Sequence, residues 1–216
     1  GCEILLHSDA IQAHAETYGG LVEVGVGLVP GWGGCKEMIL RYRAREKAQA
    51  QSLWNSAALS PMGATRKAFE TIGMARVAKS AADARAVGYL RDTDGITMNR
   101  DRLLFDARAK ALSLAEHYTP PQPENDLRLP GPSGKMALDL AVSDLRKSGK
   151  ATPHDVIVSS HLAAVLSGGD KADWTAPMKE DDLILLERSE FLNLVRTRGT
   201  LDRIEHMLDT GKPLRN

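Results

Sequence analysis

Gly20-Leu-Val-Glu23-Val-Gly-Val-Gly-Leu-Val-Pro30-Gly-Trp-Gly-Gly34 is the stretch whose reading decides the fold. An apolar, β-branched, strand-like run carries a single acid, Glu23, and ends at Pro30 and a glycine cluster. Such a cluster turns tightly and lets another group approach the backbone closely. Cys35 to Tyr42 reads as a helix, so the glycines fall where free backbone N–H groups point outward. A lone carboxylate in apolar surroundings resists ionising, as a proton donor working near neutral pH must. A second acid, Glu3, stands twenty positions earlier in Gly1-Cys-Glu3-Ile-Leu-Leu. Two such acids converging on one cleft form an acid/base pair; spacing alone does not show that they meet.

Several motifs here stand in one order. Gly1-Cys-Glu3, Ser8-Asp9-Ala-Ile-Gln-Ala, Val22-Glu23 and Pro30-Gly-Trp-Gly-Gly34 together resemble the enoyl-CoA hydratase (crotonase) family. The family's two acids are separated by the same twenty residues. The resemblance implies an α+β, predominantly helical fold: the C-terminal part of a crotonase ββα spiral core followed by a helical oligomerisation region. It implies that Glu3 and Glu23 are catalytic, Glu3 activating a water that adds to the β-carbon of a 2-enoyl-CoA. Glu23 would hold the same water and protonate the α-carbon. Gly31, through its backbone N–H, and Trp32 are the substrate-binding candidates. Where the family often has Thr-Gln-Arg after the glycines, this chain has Cys35-Lys36-Glu37.

The chain opens in mid-motif at Gly1. The family's oxyanion-hole donors would precede it, and losing even one such donor typically costs ~100- to 1000-fold in rate. The expectation is therefore the C-terminal part of a longer enzyme, inactive as a hydratase on its own. Arg196-Thr-Arg-Gly-Thr200 through Gly211-Lys-Pro-Leu-Arg-Asn216 resembles bacterial chains that join a 3-hydroxyacyl-CoA dehydrogenase to this hydratase. NAD would then belong to an upstream domain. Gly31-Trp-Gly-Gly34 lacks the Gly-x-Gly-x-x-Gly spacing, so no cofactor is expected within these residues. Two rival readings remain: another crotonase reaction such as double-bond isomerisation, or a non-catalytic helical oligomerisation module.

Acidic and basic residues balance, 28 against 28, so no global field argues for nucleic acid or an anionic membrane. No apolar run approaches the ~20 residues of a membrane helix. Glu3, His7 and Asp9 interrupt what would be a signal segment. Two distant cysteines suit a reducing compartment, with the cytoplasm as default. Glu3 and His7 share a helix face, yet no third ligand joins them, so no metal is expected.

In order along the chain, a strand is expected over Ala10–Ala15 and a helix over Arg41–Gln51 whose basic run faces solvent. The stretch from Arg43 to Gly63 is read as an insertion. Helix resumes at Ala64–Ile72 and again at Ala81–Val87, the latter closed by Gly88. Tyr89–Thr93 is strand-like. Asn99 caps a helix whose stripe Leu103, Ala107, Ala111, Leu114 and Tyr118 should face a core. The proline-rich stretch Thr119–Pro132 divides a partial crotonase core, 1–125, from a helical region, 126–216. There Ser133 is expected to cap one helix and Thr152, with Pro153 behind it, the next. A long helix should cover Glu180–Arg198 with Gly199 as its stop. A last one turns Leu201, Ile204 and Leu208 inward. Lys212 and Arg215 read as solvated terminal charges, and His154 and His161 as surface or packing residues. Glu187-Arg-Ser-Glu-Phe191 resembles the family's C-terminal helix, implying packing onto neighbouring subunits as trimers.

Overall fold

A computed structural model describes residues 1–52 and 60–216. The insertion therefore lies partly outside the described residues, while 43–52 continue one helix and 61–63 begin the next. The chain forms two compact units, each discontinuous in sequence: residues 1–20 with 77–123, and residues 21–76 with 124–216. No helix among the described residues is long and apolar enough to cross a membrane.

In the first unit, α1 (Cys2–Leu6) leads to β1 (Gln12–His14), shorter than the alternation suggests. β1 pairs in parallel with β4 (Gly95–Thr97), Ala13 facing Ile96. Gly95 lacks a side chain because the Gln12 carboxamide fills the space a Cβ would need. β2 (Gly19–Gly20) pairs antiparallel with β3 (Val77–Ala78). α4 (Ala81–Val87) is capped by the Ser80 hydroxyl on Asp83 N–H and closed by Gly88 at φ 109°, as its sequence requires.

Tyr89–Thr93 is not a strand. The buried Asp94 carboxylate accepts the N–H groups of Arg91 (2.6 Å) and Ile11 (2.9 Å), which bends the chain and delays the strand to Gly95. Asn99 caps a short 3-10 turn, Arg100–Arg102, that runs into α5 (Leu103–Ala115). The α5 stripe does not line a core. Leu103 and Ala107 are half-buried, while Ala111, Leu114 and Tyr118 are exposed. The helix is tied down near its start, where Asp106 accepts from Thr97 of β4.

The second unit is helical: α2 (Gly34–Ser52), α3 (Pro61–Gly73), α6 (Gly131–Lys147), α7 (Pro153–Ser167), α8 (Glu180–Val195) and α9 (Arg198–Thr210). α7 is apolar around most of its circumference and packs against α2, α3, α6 and α8. Its Val158, Leu162, Val165 and Leu166 are buried beside Ile39, Ile72, Leu138 and Leu183. Thr152 and Asp155 form a reciprocal capping box with Pro153 at the first position.

Five expectations change in this unit. The Leu21–Val29 run is not a strand: Glu23–Val26 wind into a 3-10 turn ended by Gly27 at φ 81°. Alternating glycines supply neither the side-chain packing nor the stiffness a strand needs. Ser133 is not a cap. The helix starts at Gly131, and the Ser133 hydroxyl donates back to the Pro130 carbonyl. The helix from Glu180 ends at Val195, because Thr197 caps a new one by accepting from Thr200 N–H; Gly199 lies in that first turn rather than stopping anything. In α9 the inward residues are Thr200 and Arg203, while Leu201 and Leu208 are exposed. The Arg41–Arg45 run is likewise no solvated face: Arg41 is buried beside Glu37, and Arg43 donates to the carbonyls of Asp126 and Arg128.

Candidate active site

The pieces that the sequence singles out are divided between the units. Glu3 belongs to the first, and Glu23, Gly31 and Trp32 belong to the second. Glu3 sits in the first turn of α1, half-buried, and its backbone carbonyl lies 2.7 Å from His7 Nδ1. These two residues thus meet backbone to ring. Beside α1 opens a cavity of about 230 Å³ lined by Gly1, Cys2, Leu5, Tyr18, Tyr89 and Leu90 among others. Among the described residues no group of three His, Cys, Asp or Glu side chains gathers as a metal set.

Glu23 opens the 3-10 turn, and its carbonyl accepts the Leu28 N–H at 3.1 Å. The residue is half-buried and its Oε2 is shut off from solvent. α9 holds this turn at two points. Thr200 Oγ1 donates to the Gly27 carbonyl at 2.7 Å, and Arg203 Nη1 donates to the Val24 carbonyl at 3.3 Å.

Arg203 is only 3% exposed, yet every face of its guanidinium is used. It also donates to Asp155 Oδ1 at 2.7 Å, Thr152 Oγ1 at 3.1 Å and Asn216 Oδ1 at 2.8 Å. Burial pushes the Asp155 carboxyl upward, but the Thr152 backbone N–H and the guanidinium outweigh it and hold its pKa below the usual value. His154 lies buried 2.9 Å from Thr200 Oγ1. Burial, and then the charge of Arg203, keep its imidazole below the ordinary histidine value.

The glycine turn leads directly into α2, a 19-residue helix whose positive end faces back toward it. Gly31, Trp32, Gly33 and Gly34 have no side chain that could cap that end. The cap comes from α8. Glu187, fully buried, accepts from Gly33 N–H at 2.8 Å and Lys36 N–H at 3.3 Å. Lys36 in turn donates its ammonium to Glu180 (2.7 Å) and Glu37 (2.5 Å). Burial alone would lower its pKa, but these two carboxylates raise it, so the ammonium stays charged.

Gly31 has no room for a side chain, since a Cβ there would stand 2.7 Å from the Phe191 ring. Trp32 is 82% exposed. Glu187 thus occupies two N–H groups where the glycine turn meets α2, those of Gly33 and Lys36.

Sequence reasoning missed Glu187, Thr200 and Arg203. Glu187 stood out only as part of a family-like string, and the two α9 residues occupy the face that an apolar template assigns outward. Their one signal is position: Thr200 and Arg203 are three apart and so share a helix side.

The chain has a crotonase-type fold. The chain superposes on a carnitinyl-CoA hydratase from Mycobacterium avium with a TM-score of 0.52 and 15% identity, over 99% of this chain and 57% of that one. In sequence it is similar to a probable 3-hydroxyacyl-CoA dehydrogenase of Bacillus subtilis, 39% identical over 216 residues, which is all of this chain and 26% of that protein. It is also similar to a putative fatty acid oxidation complex trifunctional enzyme of Rickettsia prowazekii, 24% identical over 205 residues, 95% of this chain and 24% of that protein. The chain thus spans about a quarter of the length of these curated relatives. No protein-family model matches it.

Proposed function

We propose that this chain is part of a longer enzyme of fatty acid oxidation that hydrates 2-enoyl-CoA to 3-hydroxyacyl-CoA. In this reading Glu3 and Glu23 share one water. The water's oxygen bonds to the β-carbon as Glu3 assists its deprotonation. Glu23 delivers a proton to the α-carbon, and the C=C π bond is consumed. The Gly31 N–H orients the water and Trp32 lies against the substrate. No metal takes part, and NAD serves a separate dehydrogenase step upstream of this chain. Cytoplasmic location and self-association through the C-terminal helices belong to the same proposal.

The observation that carries it is the setting of Glu23 in a crotonase-type fold. A carboxylate with one oxygen out of solvent's reach heads a rigidly held turn, a few residues before a glycine loop at a helix start. A positioned acid in such a place is what protonation of the α-carbon requires.

The test uses the full-length protein and crotonyl-CoA. Positioned acid–base groups contribute roughly 100- to 10,000-fold, so Glu3→Gln and Glu23→Gln should each lower kcat by about that factor. Hydration that survives both substitutions refutes the proposal. A Glu3→Gln enzyme that retains double-bond isomerisation while Glu23→Gln loses it identifies an isomerase instead.

A further inference from the structure

We infer that Glu187 is a positioning residue for the glycine turn: from α8 it fixes the backbone that presents the Gly31 N–H. The inference rests on the role proposed above for that N–H. A run of Gly31, Gly33 and Gly34 around one tryptophan has wide conformational freedom and no local side chain to restrain it. The restraint comes from far along the chain, and it is threefold. The Glu187 carboxylate takes the Gly33 and Lys36 N–H groups, one oxygen each. Phe191, one helical turn on, lies where a Gly31 side chain would be. Glu180, at the start of α8, holds the Lys36 ammonium.

Two features separate this from ordinary packing. A fully buried carboxylate is costly unless its partners repay it, and a leucine would fill a helix–helix seam without that penalty. Its two oxygens also take backbone N–H groups on either side of the point where the glycine turn becomes α2. A charged acceptor at that point both offsets the α2 dipole and sets the direction of the following N–H groups. Because a misplacement of about 1 Å can cost ~100-fold in rate, a group that holds the turn acts on turnover more than on binding.

The test compares Glu187→Gln with Glu190→Gln in the full-length protein. Glu190 lies on the same helix but pairs with His161 of α7. The first readout is amide hydrogen exchange across residues 31–37. The second is kcat and KM for crotonyl-CoA hydration. Losing a charge-assisted hydrogen bond should speed exchange of the Gly33 and Lys36 amides about tenfold, while α7 amides keep their rates. We expect kcat to fall about 10- to 100-fold with KM within about threefold, the signature of an interaction that serves the transition state. Glu190→Gln should do neither.

Unchanged exchange at Gly33 overturns the inference, and so does faster exchange with kcat intact. If the wild-type protein does not hydrate enoyl-CoA, the functional reading fails, and the exchange comparison alone still decides whether Glu187 sets the turn. If Glu187→Gln does not fold, Phe191→Leu, which leaves the carboxylate in place, is judged by the same two readouts and limits.

Discussion

Replacing Gly27 by alanine should be among the most damaging single-methyl changes in the second unit. Two independent costs apply. Gly27 sits at φ 81°, where an L side chain costs roughly 1–2 kcal/mol. A Cβ there would stand 2.8 Å from Thr200 Oγ1, 3.0 Å from His154 Nε2 and 3.1 Å from Thr200 Cα. Neither neighbour can retreat. Thr200 is fully buried and bonded back to the Gly27 carbonyl, and His154 is 5% exposed. Overpacking of this kind costs about 1–3 kcal/mol, so the total is roughly 2–5 kcal/mol.

Gly149→Ala is the matched control. Its φ is 72° and a Cβ there meets nothing within 4 Å, so strain acts without collision. Part of that strain, about 0.4–1 kcal/mol, is returned by the stiffer unfolded chain. In urea denaturation followed by helical circular dichroism, with a slope of about 2–3 kcal/mol/M, Gly27→Ala should lower the midpoint by roughly 1 M or more. Gly149→Ala should lower it by less than about 0.5 M under the same relation. Equal shifts for the two variants would refute the argument that α9 packs rigidly on the Glu23 turn.

Two further outcomes follow from charged groups. His154 is held neutral when folded, so below pH 6.5 the unfolded chain gains a proton that the folded chain refuses. Stability should therefore decline as pH falls from 6.5 toward the depressed folded value, level off below it, and owe nothing to His154 at higher pH. Urea midpoints at about pH 7.5 and 5.5 should differ less in His154→Gln than in the parent, and an identical slope would count against the assignment. Asp94→Ala leaves the Ile11 and Arg91 N–H groups buried without their acceptor, a cost of about 1–3 kcal/mol. The Gly95 amide, bonded to the Ile11 carbonyl in the adjoining ladder, should then exchange about tenfold faster or more, and protection equal to the parent's would show that Asp94 does not hold this corner.

Where the chain carries explicit punctuation, its fold was legible. Thr152-Pro153 at the start of α7 and Gly88 at the end of α4 bound their helices where the structure has them, because a cap and a left-handed glycine are local chemistry. The α5 stripe was misleading: periodicity says that a face exists, not that anything covers it. The inward face of α9 was hidden for the opposite reason. Thr200 and Arg203 are buried by partners they bond, and polar burial leaves no mark in an apolar template. Of the candidate site, the acids and glycines could be named from the sequence. Glu187 could not be connected to Gly33 across 154 positions, since no local rule links a carboxylate to a loop so far away.

The pairing of Gly20 with Val77 means that the first unit parts and rejoins at a single narrow gate. The backbone leaves for an excursion of two helices and returns to a position about 5 Å from where it left. The closure of the first unit at this point is its own β2–β3 ladder, so the register of Gly19 with Ala78 and of Gly20 with Val77 fixes where the chain re-enters it.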